Sequence, residues 1–272
     1  MRDESSSNKR IEEAGFPPKE SMASPWMAFL TALQFLTTSP AIIRRPFTAK
    51  ELGGAVAWFP LIGTLLGFLL AMADALLALI FPPPARCALL VALWVLLTGA
   101  LHLDGFLDSC DGLLGGWTPE KRLEIMHDER VGAYALAGGA LLLLLKFSAL
   151  LSLPERWEAL LLAPTMSRWS MSLAITAFPY ARAEGLGKLM KDQTGWLQAA
   201  IATLLTLVTA WFVGRLVGLA MLGLAAITMG LIARFTLKRI PGLTGDIYGA
   251  INEIVELVVL LAWVGLSSAG RL

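Results

Sequence analysis

A succession of long apolar runs limits this chain more than any other feature. They fall near residues 53–81, 86–106, 131–152, 157–179, 197–213, 215–235 and 251–268. A helix of about 20 apolar residues is long enough to cross the hydrocarbon of a bilayer. The runs therefore predict an all-α, polytopic transmembrane helical bundle of about seven spans. Charged residues make up only 16% of the chain, where a soluble domain carries about a quarter, so there is too little polar surface to cover a water-soluble body. An eighth apolar stretch, 24–43, is interrupted by Pro25 and Pro40 and diluted by Thr and Gln. It predicts an interfacial or re-entrant helix that does not cross.

Residues 1–21 are polar, with Pro17-Pro18, and lack the apolar stretch and small-residue cleavage site of a signal peptide. They predict a flexible cytoplasmic tail ahead of a single integral membrane catalytic domain, 22–272. A net charge of +1 offers no global field for nucleic acid. Two cysteines, Cys87 and Cys110, make no disulfide framework and read as small packing residues.

The placement of basic residues carries the orientation. One set of loops holds Arg44, Arg45 and Lys50; Lys121, Arg122 and Arg130; Arg182, Lys188 and Lys191; and Arg234, Lys238 and Arg239. The opposite side has Arg86, Arg156, Arg215 and Arg271, one each. By the positive-inside rule the richer side is cytoplasmic. Most acids fall on that same side, so chemistry is expected there, on a phosphate-bearing substrate held through metal ions.

The segment LHLDGFLDSCDG, 101–112, is the most informative. Asp104, Asp108 and Asp111 are spaced i, i+4, i+7, which puts three carboxylates on one helical face, here at the end of an apolar span. Three like charges so close repel one another, and a divalent cation removes that cost. Hard oxygen ligands without thiolate or clustered imidazole favour Mg²⁺ over zinc. His102, one turn earlier, either orients a carboxylate or packs at the interface. In RLEIMHDERVGAYA, 122–135, Glu124 and Asp128 at i, i+4 are expected to share a face and add ligands, with Arg130 placed for phosphate.

Arg168 lies near the middle of the 157–179 run, where a charge costs several kcal/mol unless it meets a partner or polar cavity. A phosphate or carboxylate contact inside the bundle is expected. Asp74 and Lys146 both read as lying in the outer third of their spans, set to pair with each other. FPYARAEGLGKLMKD, 178–192, offers Arg182 and Lys188 beside glycines, and GLTGDIYGAINEIVE, 242–256, offers Asp246, Asn252, Glu253 and Glu256 at the entry of the last span. Both read as substrate-binding segments.

Taken together, ALQFLTTSP, WFPLIGTLLG (58–67), GALHLDGFLDSCDG (99–112), EIMHDERVGAYA (124–135), RWSMSLAITAFPYAR (168–182) and GLTGDIYGAINE (242–253) resemble the cobalamin synthase family, adenosylcobinamide-GDP ribazoletransferase, in order and spacing. The resemblance implies that a hydroxyl of α-ribazole, or of its 5′-phosphate, attacks the pyrophosphate of adenosylcobinamide-GDP and releases GMP. It also implies Mg²⁺ dependence and an inner-membrane location. Asp104, Asp108, Asp111 and Asp128 would then hold Mg²⁺ and provide the catalytic carboxylates. His102, Arg130, Arg168, Arg182, Lys188, Asp246, Asn252 and Glu253 would contact substrate. A homo-oligomer, or association with other corrinoid-pathway enzymes, is compatible with this reading. A lipid phosphotransferase of the CDP-alcohol class would place Ala-Arg between the acids, which this chain lacks. A transporter would gather its charges at the midplane instead of at one face.

Overall fold

The structure, a computed structural model, describes residues 24–270; the expected tail, 1–21, lies outside the described residues. The elements among the described residues are all helices, and the polar residues between them tie the helix ends together. α1, Pro25–Leu36, starts at Ser24, whose hydroxyl accepts from the Met27 amide at 3.2 Å. At about 1.5 Å per residue it is roughly 18 Å long, too short to cross a bilayer. The Gln that dilutes this stretch folds the chain behind the helix. The Gln34 carbonyl accepts from the amides of Ile42 and Ile43 at 3.0 and 2.9 Å, and its amide donates to Ile43 O.

α2, Ala49–Ala55, opens with a capping box between Thr48 and Glu51, and Arg45 clasps the same Glu51. A 3₁₀ turn, Val56–Trp58, leads into α3, Phe59–Leu77. α4, Pro83–Leu97, follows. The run expected to continue to residue 106 instead breaks: Gly99 and Ala100 both have positive φ, and α5, Leu101–Gly115, leaves at 90° to α4. The carbonyl ends exposed by this break are taken up by Thr38, whose amide donates to Leu97 O at 2.9 Å. The three aspartates therefore stand on a separate, sharply turned helix and not on the end of the span.

α6, Pro119–Ile125, is short and capped by Thr118. α7, Ala133–Ser152, α8, Trp157–Ala177, and α9, Leu186–Gln193, come next. α10, Trp196–Leu237, is assigned as one 42-residue helix but has non-helical backbone at Arg215. In a straight helix Ala210 and Gly218 would be about 12 Å apart along the axis. A Cβ on Gly218 would instead touch the Ala210 carbonyl oxygen at 2.1 Å, so the chain folds back sharply there. α11, Gly245–Ser268, closes the fold behind a Thr244 cap.

α8 is the axis of the bundle. It packs along α3, α10 and α11, and almost every residue from Ala159 to Thr176 is buried. Gly63 and Gly67 let α3 lie on its backbone: a Cβ at either would meet Pro164 O or Leu160 O at 2.2–2.4 Å. Small residues at a crossing are how helices associate closely where lipid offers no hydrophobic driving force.

Among the described residues, four helices or helix runs are long and apolar enough to cross a membrane: 49–77, α7, α10 and α11. The bent pair α4–α5 makes a fifth if it counts as one span. The expected seven is thus not reached on length and apolarity, for two physical reasons. α8 has the length but carries Ser167, Arg168, Ser170 and Ser172 turned into the protein, and the folded-back α10 passes as one helix.

Candidate active site

α5 and α11 cross where both lack side chains. A Cβ on Gly105 would meet Asp246 O at 2.9 Å, and one on Gly249 would meet His102 O at 2.8 Å. This contact sets Asp246, at the start of α11, beside Asp104 on α5. The loop after α8 docks on the loop before α11 through two backbone bonds, Ala181 N to Leu243 O and Leu243 N to Pro179 O, both 2.8 Å. That docking delivers Arg182, whose Nη2 donates to Asp246 Oδ2 at 2.8 Å; the Thr244 hydroxyl donates to the same oxygen at 3.1 Å.

The result is a cavity of about 420 Å³ lined by Asp104, Asp108, Asp111, Asp246, Arg182 and the 126–131 loop with Asp128 and Arg130. Its carboxylates have distinct employments. Asp111 caps α7: Oδ2 accepts from Gly132 N at 2.6 Å and Oδ1 from Ala135 N at 2.9 Å. Gly132 has to be glycine for this, since a Cβ there would meet that carboxylate at 2.6 Å. Asp128 is clasped by its neighbour Arg130, at 2.9 and 2.6 Å. The Arg130 guanidinium holds the Asp128 carboxyl down at about 2, so it stays ionised at neutral pH. Asp104 and Asp108 accept no hydrogen bond among the described residues. With the exposed Glu129 they are the cavity carboxylates that have no hydrogen-bond partner among the described residues.

The expected shared face of Glu124 and Asp128 does not form. α6 ends at Ile125, and Glu124 pairs instead with Lys121 at 2.7 Å. Among the described residues no three Asp, Glu, His or Cys groups converge into a ready-made metal cage. Such a cage is not required for Mg²⁺, which keeps several waters and is bound through one or two carboxylates plus substrate phosphates. Asp104 and Asp108, hard oxygen donors without competing partners, fit that description.

Behind the cavity lies a second polar cluster, fully enclosed. Lys146 of α7 donates to Glu253 Oε2 and Glu256 Oε2 of α11, both at 2.5 Å, and sits over the Trp94 ring. Arg168 of α8 contacts the other Glu256 oxygen, donates to Ser167 Oγ at 3.0 Å and lies 3.4 Å from His102 Nδ1. Asn252 donates to Glu256 Oε1 at 3.2 Å. Two cations face two carboxylates, so the cluster is neutral in sum. Arg168 and Asn252 therefore meet the Glu256 carboxylate and Glu253 the Lys146 ammonium within the bundle, and none of the three lines the cavity. Asp74 and Lys146 do not pair: Asp74 meets Arg86 at 3.1 Å and Arg156 at 3.8 Å. Lys188 is occupied by Asp192 at 2.5 Å, away from the cavity.

The central place of Glu256 was missed, although a signal existed. Lys146 and Glu256 stand 13 and 11 residues into helices that both begin at the cavity, hence at similar depths. Ionisable groups buried at one depth are expected to find one another.

A sequence model of cobalamin-5-phosphate synthase matches residues 28–264. The chain belongs to the cobalamin-5-phosphate synthase family. Three similar proteins, each named adenosylcobinamide-GDP ribazoletransferase, come from Geotalea daltonii, Desulfitobacterium hafniense and Stutzerimonas stutzeri. They are 39%, 41% and 41% identical over 88%, 89% and 86% of this chain and 97%, 96% and 96% of their own. No solved structure matches the chain. Membership in the cobalamin-5-phosphate synthase family makes the chain a transferase of cobalamin biosynthesis, acting at nucleotide-loop assembly, and its apolar helices make it a multi-pass membrane protein.

Proposed function

We propose that this chain joins α-ribazole, or its 5′-phosphate, to adenosylcobinamide-GDP with release of GMP, in the carboxylate-lined cavity. The observation that carries the reading is the juxtaposition, in one cavity, of the unpartnered Asp104 and Asp108 with Arg182 and Arg130. A pyrophosphate needs cationic partners on its oxygens and a group to receive the nucleophile's proton.

Asp104 and Asp108 would hold a divalent cation, Mg²⁺, which when bound offsets charge on the pyrophosphate and the departing GMP. Arg130 is exposed at the cavity rim and swings to phosphate at the expense of its contact with Asp128. Arg182, anchored by Asp246, contributes a fixed positive charge. A ribazole hydroxyl forms the new P–O bond as the P–O bond to GMP breaks, and its proton passes to a cavity carboxylate. Asp111 works from behind, fixing the start of α7 and with it the 126–132 loop. The positive-inside distribution supports an inner-membrane protein whose cavity faces the cytoplasm.

The test is turnover by purified protein in nanodiscs supplied with adenosylcobinamide-GDP, α-ribazole phosphate and Mg²⁺. Equimolar GMP and a new corrinoid product, both lost with EDTA, are expected. Absence of product from folded protein, with a lipid product from CDP-diacylglycerol instead, contradicts the reading.

A further inference from the structure

Asp104 and Asp246 also line a second cavity, of about 170 Å³, on the other side of the α5–α11 crossing. Its walls are apolar, with Phe35, Phe59, Met171 and Ile175 among them. A comparably sized apolar cavity, roughly 150 Å³, is enough to take up an aromatic ring. Besides Asp104 and Asp246, two polar side chains interrupt the lining, His102 and Tyr248, which are 2% and 3% exposed. Both carry a buried atom without a partner, His102 Nε2 and the Tyr248 hydroxyl. Buried polar atoms left unpaired are uncommon and costly, and here the two side chains that carry them line one slot, which shares Asp104 and Asp246 with the reactive cavity. His102 cannot turn away, because its other nitrogen lies against Arg168.

We infer that this slot takes the flat heteroaromatic base of a nucleoside substrate, with His102 and Tyr248 on the edge of the ring and the sugar directed to Asp104. The inference rests on the reading that a ribazole is a substrate. Two bases are available in that reaction, the ribazole base and the guanine of the other substrate. Guanine presents two acceptors and an amino donor on its edges, a polar periphery that the walls of Phe35, Phe59, Met171 and Ile175 leave largely without partners. A benzimidazole ring has one free ring nitrogen and an apolar remainder, which matches the lining. The slot is therefore assigned to ribazole.

Equilibrium dialysis of α-ribazole against the nanodisc-embedded protein, without corrinoid substrate, reads this directly. Wild-type protein is expected to bind, and Met171→Trp, which fills the slot, to weaken binding at least thirtyfold. Tyr248→Phe is expected to weaken it at least fivefold while melting no lower than wild type, since the hydroxyl it removes has no partner in the free protein. Guanosine is expected not to compete. No ribazole binding by the wild type, ribazole binding untouched by both substitutions, or displacement by guanosine would each overturn the assignment. Turnover in the wild type decides the reaction separately, so product formed by protein whose slot variants bind ribazole normally would leave the reaction standing and this inference fallen.

Discussion

Asp104 and Asp108 differ from Asp111 and Asp128 only in what surrounds them, and in the proposed reaction that difference divides the carboxylates into working and supporting groups. Asp111 spends both oxygens on the amides that begin α7, and Asp128 is held by Arg130. Helical spacing showed that three acids share a face, but not that one of them would be turned into a cap. Deeper in, Lys146 balances Glu253 and Glu256. Removing one member of a buried ion pair typically costs about 3–5 kcal/mol, because the remaining charge is left uncompensated. Lys146→Met is therefore expected to destabilise the protein by about that amount, and Lys146→Met with Glu253→Gln to recover much of it. Thermal unfolding in detergent measures both. Simple additivity of the two substitutions would show that the charges do not act as a unit. The residues of this cluster were legible as costly charges in apolar runs, whereas their partners were not, since pairing depends on how α7, α8 and α11 face one another.

At the scale of elements, the site depends on the glycine contact between α5 and α11. Gly249→Ala would bring a Cβ to 2.8 Å from His102 O and 3.2 Å from the Gly105 Cα. Backbone cannot rotate out of the way as a side chain can, so the helices must part and Asp246 must move from Asp104. A misplacement of about 1 Å in a reacting geometry can cost on the order of a hundredfold in rate. Gly249→Ala is accordingly expected to lower turnover at least tenfold with membrane insertion unchanged, as read by GMP release and by yield in the membrane fraction. The helix holding the aspartates was legible from its periodicity. The right-angle break before it was not, because the apolar pattern runs on through residues 98–100. Gly99 is an ordinary sign of a turn, but Ala100 at φ 58 is not, and tertiary packing sets it there.

Across the whole molecule, ionisable groups outside the buried cluster of Lys146, Arg168, Glu253 and Glu256 are sorted toward two ends. Phe59 lines the aromatic slot, and Asp74, fifteen residues further along α3, pairs with Arg86 and Arg156 at the far end, about 22 Å away. The helical, membrane-crossing character was plain from the apolar runs. The number of spans was not, because α8 hides its polar side chains inside the bundle and α10 reverses at Arg215 with no loop to mark it. Orientation is checked by labelling intact cells with a membrane-impermeant maleimide after replacing Cys87 and Cys110. A cysteine at Pro83 is expected to react and one at Trp117 to react only after lysis; the reverse pattern would turn the molecule over. The most direct test of the site is the Mg²⁺ dependence of GMP release by wild-type, Asp104→Asn and Asp108→Asn proteins in nanodiscs. Turnover is expected to require Mg²⁺ and to fall on the order of a hundredfold or more in each variant. Wild-type rates from both variants, or undiminished turnover in EDTA, would contradict the assignment of these two carboxylates.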